Sequence, residues 1–313
     1  MKITAVVVTY NRLPLLKECV EALLNQDYED MDILLVDNDS IDGTKEYIQE
    51  ITARYKKRVF SLFLQENIGG SGGFHEGMKY ALRNNSDWLW LMDDDTIPEK
   101  NACTEFCKAV QIINGKIGFL SGNVYGMKNE SMNTPRMKLM QKGENGYADW
   151  NLHLADSLVK VNSATFCSCF VSTEAVRTIG LPIKEYFIWG DDTEYTLRLT
   201  RYYGQGWLVG KSIVHHKREN GQALSIKEET NPSRINVYYY YTRNYLINLR
   251  LYYGGYLGAL AKTLHFNFIM LQILFGKSEY KARKILVLFK GIFGFWLKQY
   301  DVKAIKNRMK IFV

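Results

Sequence analysis

The feature that most constrains this chain is an alternation near its start, in which short β-branched apolar runs are separated by stretches with helical spacing. Ile3-Thr-Ala-Val-Val-Val-Thr9 reads as a buried strand. Residues 13–24 carry helical spacing, with Pro14 suited to a helix start. Residues 32–37 form a second apolar run, Asn38-Asp-Ser-Ile-Asp-Gly43 has turn chemistry, and 44–55 read as a second helix. A third strand is expected at 59–64, a helix near 74–83 and a fourth strand at 88–92. This order predicts an α/β fold, a mostly parallel sheet with helices on both faces. Ligands then bind beyond the carboxyl ends of the strands. Residues 114–161, rich in Gly, Asn, Met and Lys, predict loops and irregular strands; 173–179 and 188–203 predict helices, and 207–214 a strand.

Charge divides the chain. From Gly254 onward there are eleven Lys/Arg against two acids, Glu279 and Asp301, a net +9 within a total of +7. The basic character therefore belongs to the tail. Leu257, Leu260, Ala261, Leu264, Phe268, Leu271 and Phe275 share one helical stripe, residues 285–296 are strongly apolar, and Lys277, Lys281, Arg283, Lys284, Lys298, Lys303, Lys306, Arg308 and Lys310 surround them. Basic, aromatic amphipathic helices lie in a membrane interface, and anionic lipid attracts such residues. The alternative is a helical bundle packed on the preceding domain or on a second copy of the chain, a homo-oligomer. Residues 256–275 include Lys262, His265, Asn267 and Gln272, so no clean membrane span is expected. No signal peptide is read at the start. The five cysteines form no C-x-x-C pair and are expected to be reduced, in a cytosolic setting. No nucleic-acid-binding signature is present.

Four clusters carry candidate chemistry. Asp93-Asp94-Asp95 follows directly on the Trp-rich fourth strand. Three carboxylates at a strand end repel one another, and a hard divalent cation uses one or two carboxylates together with substrate phosphates; a solvated acidic turn is the plainer reading. Gly69, Gly70, Gly72 and Gly73 form a loop expected before a helix, where backbone N–H groups can approach a phosphate. It is neither a Walker loop nor a dinucleotide fingerprint. Asp191-Asp192-Thr193-Glu194 holds acids that would favour a helix N-terminus. His215-His216 ends a strand-like segment, so the two imidazoles would face opposite ways, and a neutral imidazole is a common ligand for a transition ion.

Val6-Val-Val-Thr-Tyr-Asn-Arg12, Val36-Asp37-Asn38 and Asp93-Asp94-Asp95 together resemble the family-two glycosyltransferases with the GT-A fold, over roughly residues 1–220. Asn67-Ile-Gly-Gly-Ser-Gly-Gly-Phe74, Leu91-Met-Asp-Asp-Asp95, Phe187-Ile-Trp-Gly-Asp-Asp-Thr-Glu194 and Tyr240-Tyr-Thr-Arg-Asn244 look like the bacterial galactofuranosyltransferase and rhamnosyltransferase branch. The resemblance implies a GT-A catalytic domain, placed at 1–233, while the residues of 234–313 are read from their own pattern as a helical, basic, membrane-associating section. It implies that Thr9, Arg12 and Asp37 line the nucleotide pocket and that Asp93 and Asp95 hold Mn²⁺ or Mg²⁺ on the donor diphosphate. Asp94 faces ribose or sugar, and Gly69, Gly70 and Gly73 pack against the donor. His216 aligns best as a further metal ligand. Asp192 is the base that takes the acceptor proton, while Trp189, Asp191 and Glu194 contact the acceptor. The reaction implied is inverting transfer of a sugar, galactofuranose from UDP-galactofuranose or rhamnose from dTDP-rhamnose, to a lipid-linked glycan on the inner face of a bacterial-type membrane. A nucleotide-sugar-binding scaffold without catalysis is the rival.

Overall fold

The structure is a computed structural model that describes residues 1–138, 142–218 and 224–298. Lys303, Lys306, Arg308 and Lys310 of the basic tail lie outside the described residues. The chain forms two compact units, one of Met1–Pro182 with Asp192–Gly221, the other of Ile183–Asp191 with Gln222–Val313.

The first unit is built on one mixed sheet. Its strands are β1 (Ile3–Thr9), β2 (Met31–Asp37), β3 (Val59–Phe63), β4 (Trp88–Asp93), β5 (Thr96–Pro98), β6 (Ile117–Tyr125), β7 (Arg136–Met137), β8 (Leu158–Ser163), β9 (Cys169–Ser172) and β10 (Gln205–His216). Between them run α1 (Leu13–Leu24), α2 (Thr44–Arg54), α3 (Gly69–Ala81), α4 (Ala102–Ile112), α5 (Thr173–Ile179) and α6 (Asp191–Tyr202). The strand order is β3-β2-β1-β4-β9-β6-β10-β8-β7, with β5 paired to β10. From β3 to β4 every pairing is parallel, as the alternation predicts; every residue of β1 is buried, which is why its apolar run is continuous rather than alternating. Beyond β4 the sheet becomes mixed, because β9 enters antiparallel to both β4 and β6.

Two expectations are corrected and one is sharpened. Within the region read as loops and irregular strands, residues 117–125 form a nine-residue strand that pairs in parallel with β10, with register shifts beside Gly118 and Gly122. Its glycines disguise the apolar run, and they permit close approach: a Cβ at Gly122 would lie 2.6 Å from Ser168 Oγ. The helix expected at 74–83 begins instead at Gly69, so Gly69, Gly70, Gly72 and Gly73 form its first turns, not a loop ahead of it. A Cβ at Gly73 would stand 2.5 Å from Val8 Cγ1, and one at Gly77 would stand 2.7 Å from Val6 Cγ1 and 2.9 Å from Val36 Cγ2. These glycines let α3 lie directly on β1 and β2. The helix expected from Ile188 starts at Asp191, since Phe187, Trp189 and Gly190 have φ of 66°, 60° and 90° and cannot join an α-helix.

The second unit is helical, with α7 (Pro232–Tyr252), α8 (Gly255–Phe275) and α9 (Lys281–Trp296). Tyr238, Leu246, Ala259, Phe266, Leu288 and Phe295 are among its core residues. The stripe read along 257–275 faces outward: Leu257 is 80% exposed, Leu264 63%, Phe268 56% and Phe275 83%. Leu286, Phe289 and Phe293 of α9 are exposed as well. Helix α8 is long and apolar enough to cross a membrane by length and composition, with a mean hydropathy of 1.3 in its best window.

Candidate active site

The parallel strands β1, β2 and β4 end together, and their register sets the site. Val8 is level with Asp93, and Thr9 with Asp37. The chain then turns from β4 into the short β5, so Asp94 and Asp95 occupy the corner. Thr9 Oγ1 donates to Asp94 Oδ2 at 2.7 Å. Arg12, just past β1, donates through Nη1 to Asp95 Oδ2 at 2.6 Å and to Asp94 Oδ1 at 3.4 Å. Its side chain is 51% exposed, whereas those of Asp94 and Asp95 are almost wholly buried, so the guanidinium stands at the mouth and the carboxylates beneath it.

Histidine 216 arrives from the far end of the sequence through β5. The antiparallel pairing sets His216 opposite Thr96 and His215 opposite Ile97, and Lys217 N continues the ladder to Asp95 O at 2.8 Å. Alternation does the rest. His215 turns to Glu99, Nε2 to Oε1 3.3 Å. His216 turns inward, with Nε2 3.2 Å from Asp95 Oδ1. Its Nδ1 lies 2.8 Å from Asn133 Oδ1; an amide oxygen can only accept, so Nδ1 carries the proton in that bond and Nε2 is the nitrogen turned to the acids.

The electrostatics follow from crowding. Removal from water, with Asp95 and Asp94 close by, pushes Asp93 up to about 8 against the pull of His216 and Arg12. Burial raises Asp94 to about 6, opposed by Arg12. Burial also works to raise Asp95, but its contacts with His216 and Arg12 outweigh that and hold it below the usual carboxylate range. Asp95 Oδ1 is buried and meets the geometry of no hydrogen bond among the described residues, although His216 Nε2 stands within ion-pair distance of it. An orphaned carboxylate oxygen facing an imidazole nitrogen fits a divalent cation. Among the described residues no three His, Cys, Asp or Glu side chains gather tightly enough to hold an ion unaided, which suits an ion that completes its shell with substrate phosphates and water.

Asp192 belongs to the same unit, on the first turn of α6. The buried Cys167 thiol, 3.7 Å from His216 Nδ1, is raised well above its ordinary value by burial and then by the charges of Asp93, Asp95 and Asp192. One side chain thus senses both acid clusters. Glu194 is 1% exposed and sets its carboxylate on Arg198, with Nε to Oε1 and Nη2 to Oε2 both 3.0 Å; Arg198 in turn donates to Ile179 O and Leu181 O. Glu194 therefore anchors α6. Asp37 is buried and accepts from Ser40 N at 3.0 Å, opening the turn after β2. The next residue, Asn38, donates to Gly69 O at 3.0 Å, which ties the start of α3 to the end of β2. Gly70 stands open, with nothing within 4 Å of a built Cβ. Trp189 and Asp191 lie in the second unit. Sequence reasoning did not single out Asn133 or Cys167: an asparagine in a Gly/Asn-rich stretch and a buried thiol carry no pattern.

The chain itself has counterparts in known proteins. Residues 4–168 match Glycosyl transferase family 2, more than half of the 313-residue chain. The chain belongs to glycosyl transferase family 2. Within that family it is 38% identical over 98 residues to galactofuranosyltransferase GlfT1 of Mycolicibacterium smegmatis, a match that spans 31% of this chain and 30% of the relative. It is 23% identical over 278 residues, 86% of this chain and 77% of the relative, to the dolichyl N-acetyl-α-D-glucosaminyl phosphate 3-β-D-2,3-diacetamido-2,3-dideoxy-β-D-glucuronosyltransferase of Methanococcus voltae. The crystal structure of GalNAc-T7 with UDP, GalNAc and Mn²⁺ shares the fold, with a TM-score of 0.56 at 14% identity over 81% of this chain and 52% of that one. The GT-A expectation for the family-two fold is met.

Proposed function

We propose that this family-two chain is an inverting glycosyltransferase that moves a sugar from a nucleotide diphosphate donor to a hydroxyl of a lipid-linked glycan. The observation that carries the reading is the buried carboxylate corner at the ends of β1 and β4, with Asp95 Oδ1 unpartnered and His216 Nε2 turned toward it. Asp93, Asp95 and His216 would hold Mn²⁺ or Mg²⁺. When bound, the ion would neutralise the diphosphate as it leaves. Thr9 and Arg12 hold Asp94 and Asp95 in place, and Arg12, exposed at the mouth, can meet donor phosphate or nucleotide. Asp37 lines the nucleotide side at the end of β2, beside the first turn of α3.

Asp192 is the base. Its carboxylate takes the proton of the acceptor hydroxyl as that oxygen forms a bond to the anomeric carbon; the bond from that carbon to the diphosphate oxygen breaks and the electron pair leaves with the nucleotide diphosphate. One displacement inverts the configuration. Trp189 and Asp191, immediately ahead of the base in sequence, serve the acceptor. The donor proposed is UDP-galactofuranose, supported by the likeness to GlfT1, with dTDP-rhamnose as the rival. The outward apolar stripe of α8, together with the basic composition of the sequence from Gly254 onward, supports peripheral contact with the inner face of the cell membrane, where a lipid-linked acceptor resides.

The test pairs binding with turnover. Thermal protection across a panel of nucleotide sugars, with and without Mn²⁺, should single out one donor. Asp192→Asn should keep that donor's affinity and lose about 10²-fold or more in transfer to a synthetic lipid-linked acceptor. Near wild-type transfer by this variant refutes the assignment of the base, and no Mn²⁺-dependent protection by any nucleotide sugar refutes the donor site.

A further inference from the structure

The Tyr-Tyr-Thr-Arg-Asn motif of α7 has no place in the chemistry above, yet it produces a dense polar network in the second unit. Its partner is the short segment 185–190. Arg243 Nη2 donates to Glu185 O at 2.7 Å. Asn244 Nδ2 reaches Tyr186 O at 3.0 Å, Ile188 O at 3.1 Å and Trp189 O at 2.8 Å. One turn further along, Asn248 Nδ2 donates to Gly190 O at 2.8 Å, and its Oδ1 accepts the Tyr186 hydroxyl at 2.8 Å. Arg243 locks the comb by donating Nε and Nη2 to Asn244 Oδ1. All three side chains are buried, Asn244 completely. Three side chains thus receive the carbonyls of Glu185, Tyr186, Ile188, Trp189 and Gly190.

The backbone they hold is strained. Phe187 has φ 66° and ψ −59°, and Ile188 N bonds back to Tyr186 O at 2.8 Å. That is a γ-turn of the positive-φ form, rare for a residue with a Cβ. Trp189 follows at φ 60° and Gly190 at φ 90°. A Cβ at Gly190 would sit 3.3 Å from Asn244 Cβ, so the segment and α7 touch without slack. Such backbone persists only where surrounding groups over-determine it, and it concentrates at working sites. This segment runs without a break into α6, whose first residues are Asp191 and Asp192.

We propose that Arg243, Asn244 and Asn248 are positioning residues: they hold the strained 186–190 segment so that the acids opening α6 are set for the acceptor. The inference rests on the assignment of Asp192 as base. A segment that relaxes out of positive φ re-aims the first turn of α6, and the loss is read in acceptor transfer, not in donor binding, because the proposed metal and nucleotide contacts lie at Asp37, Asp93, Asp94 and Asp95.

The experiment uses the full chain and compares wild type, Asn248→Ala, Asn244→Ala and Tyr186→Phe with Asp192→Asn. Donor affinity is measured with Mn²⁺, and kcat and KM are measured for a synthetic lipid-linked acceptor. Asn248→Ala should leave donor affinity within about two-fold and lower acceptor kcat/KM on the order of ten-fold or more. Tyr186→Phe, which removes the hydroxyl bond to Asn248, should fall between it and wild type, and it stands in for Asn244→Ala should that variant not fold. Equal losses in donor binding and acceptor transfer overturn the proposal, since general destabilisation produces that pattern. Wild-type acceptor kinetics in Asn248→Ala and Tyr186→Phe beside an inactive Asp192→Asn overturn it alone. An active Asp192→Asn overturns both the base and the proposal built on it.

Discussion

Gly77→Ala tests whether the glycines of α3 serve packing or ligand. In a helix interior alanine is better than glycine by ~1 kcal/mol, so by local propensity alone the variant gains stability. The packing opposes this. The new methyl would stand 2.7 Å from Val6 Cγ1 and 2.9 Å from Val36 Cγ2. Both valines are fully buried, on adjacent strands, and a valine has little χ1 freedom with which to give way. Overpacking of this kind costs about 1–3 kcal/mol. With contact on two strands at once the upper part of that range applies, and the net loss is about 1–2 kcal/mol. At about 2–4 °C per kcal/mol for a domain of this size, the melting temperature should fall by about 2–8 °C. Gly70→Ala is the matched control, since its methyl meets nothing within 4 Å; it should be neutral or gain about 0.4–1 kcal/mol through the unfolded state. Thermal denaturation reads both variants, and donor titration shows whether either touches a ligand. The packing account is refuted if Gly77→Ala melts at or above wild type. If instead both variants keep their stability and lose donor affinity alike, the glycines cradle a phosphate.

Further outcomes follow from the same contacts. Asp93→Ala and Asp95→Ala should each abolish the Mn²⁺ dependence of donor binding, measured by calorimetry with UDP; undiminished affinity in both removes the metal assignment. Glu194→Ala leaves Arg198 buried without its carboxylate, a change that costs about 3–5 kcal/mol in comparable buried pairs, so urea denaturation should show a large loss; a near-native midpoint means that water or another carboxylate reaches Arg198. Leu264→Glu combined with Phe268→Glu puts charge on the exposed stripe of α8 and should abolish co-sedimentation with anionic vesicles at low salt. If wild type does not sediment with them, the stripe belongs to a bundle or to contact between copies.

The parallel half of the fold was legible because each of its elements announces itself locally. Residues 3–9 and 13–24 were read with the bounds that β1 and α1 have, since continuous burial of a central strand writes a continuous β-branched run and a Pro marks the helix start. The mixed half was not legible. Strand β6 is interrupted by Gly118 and Gly122, and it is held as a strand by β10 and β9 on either side, with register shifts against β10. The glycine run before Phe74 misled in a different way. Glycine marks both loops and close helix–sheet contacts, and only the positions of Val6, Val8 and Val36 decide between them.

The site shows the same division between local and distant signals. Asp93-Asp94-Asp95 could be picked out because repulsion makes a strand-terminal triplet conspicuous, yet its chemistry is completed from outside that stretch. The three residues of β5 are too few to read as a strand, and they are what bring His216 to Asp95 and turn His215 to Glu99. Which of two adjacent histidines faces the acids is a question of register, fixed by a pairing between segments over a hundred residues apart in the chain. Asn133 then orients the ring from a third segment. Likewise the strain at Phe187 and Trp189 left no trace in their own residue types, neither of which favours positive φ. Its cause lies in α7, where Arg243, Asn244 and Asn248 supply the hydrogen bonds that hold it. The buried Arg243, Asn244 and Asn248 of α7 serve a stretch of backbone outside their own helix, and that stretch is the one leading to Asp192.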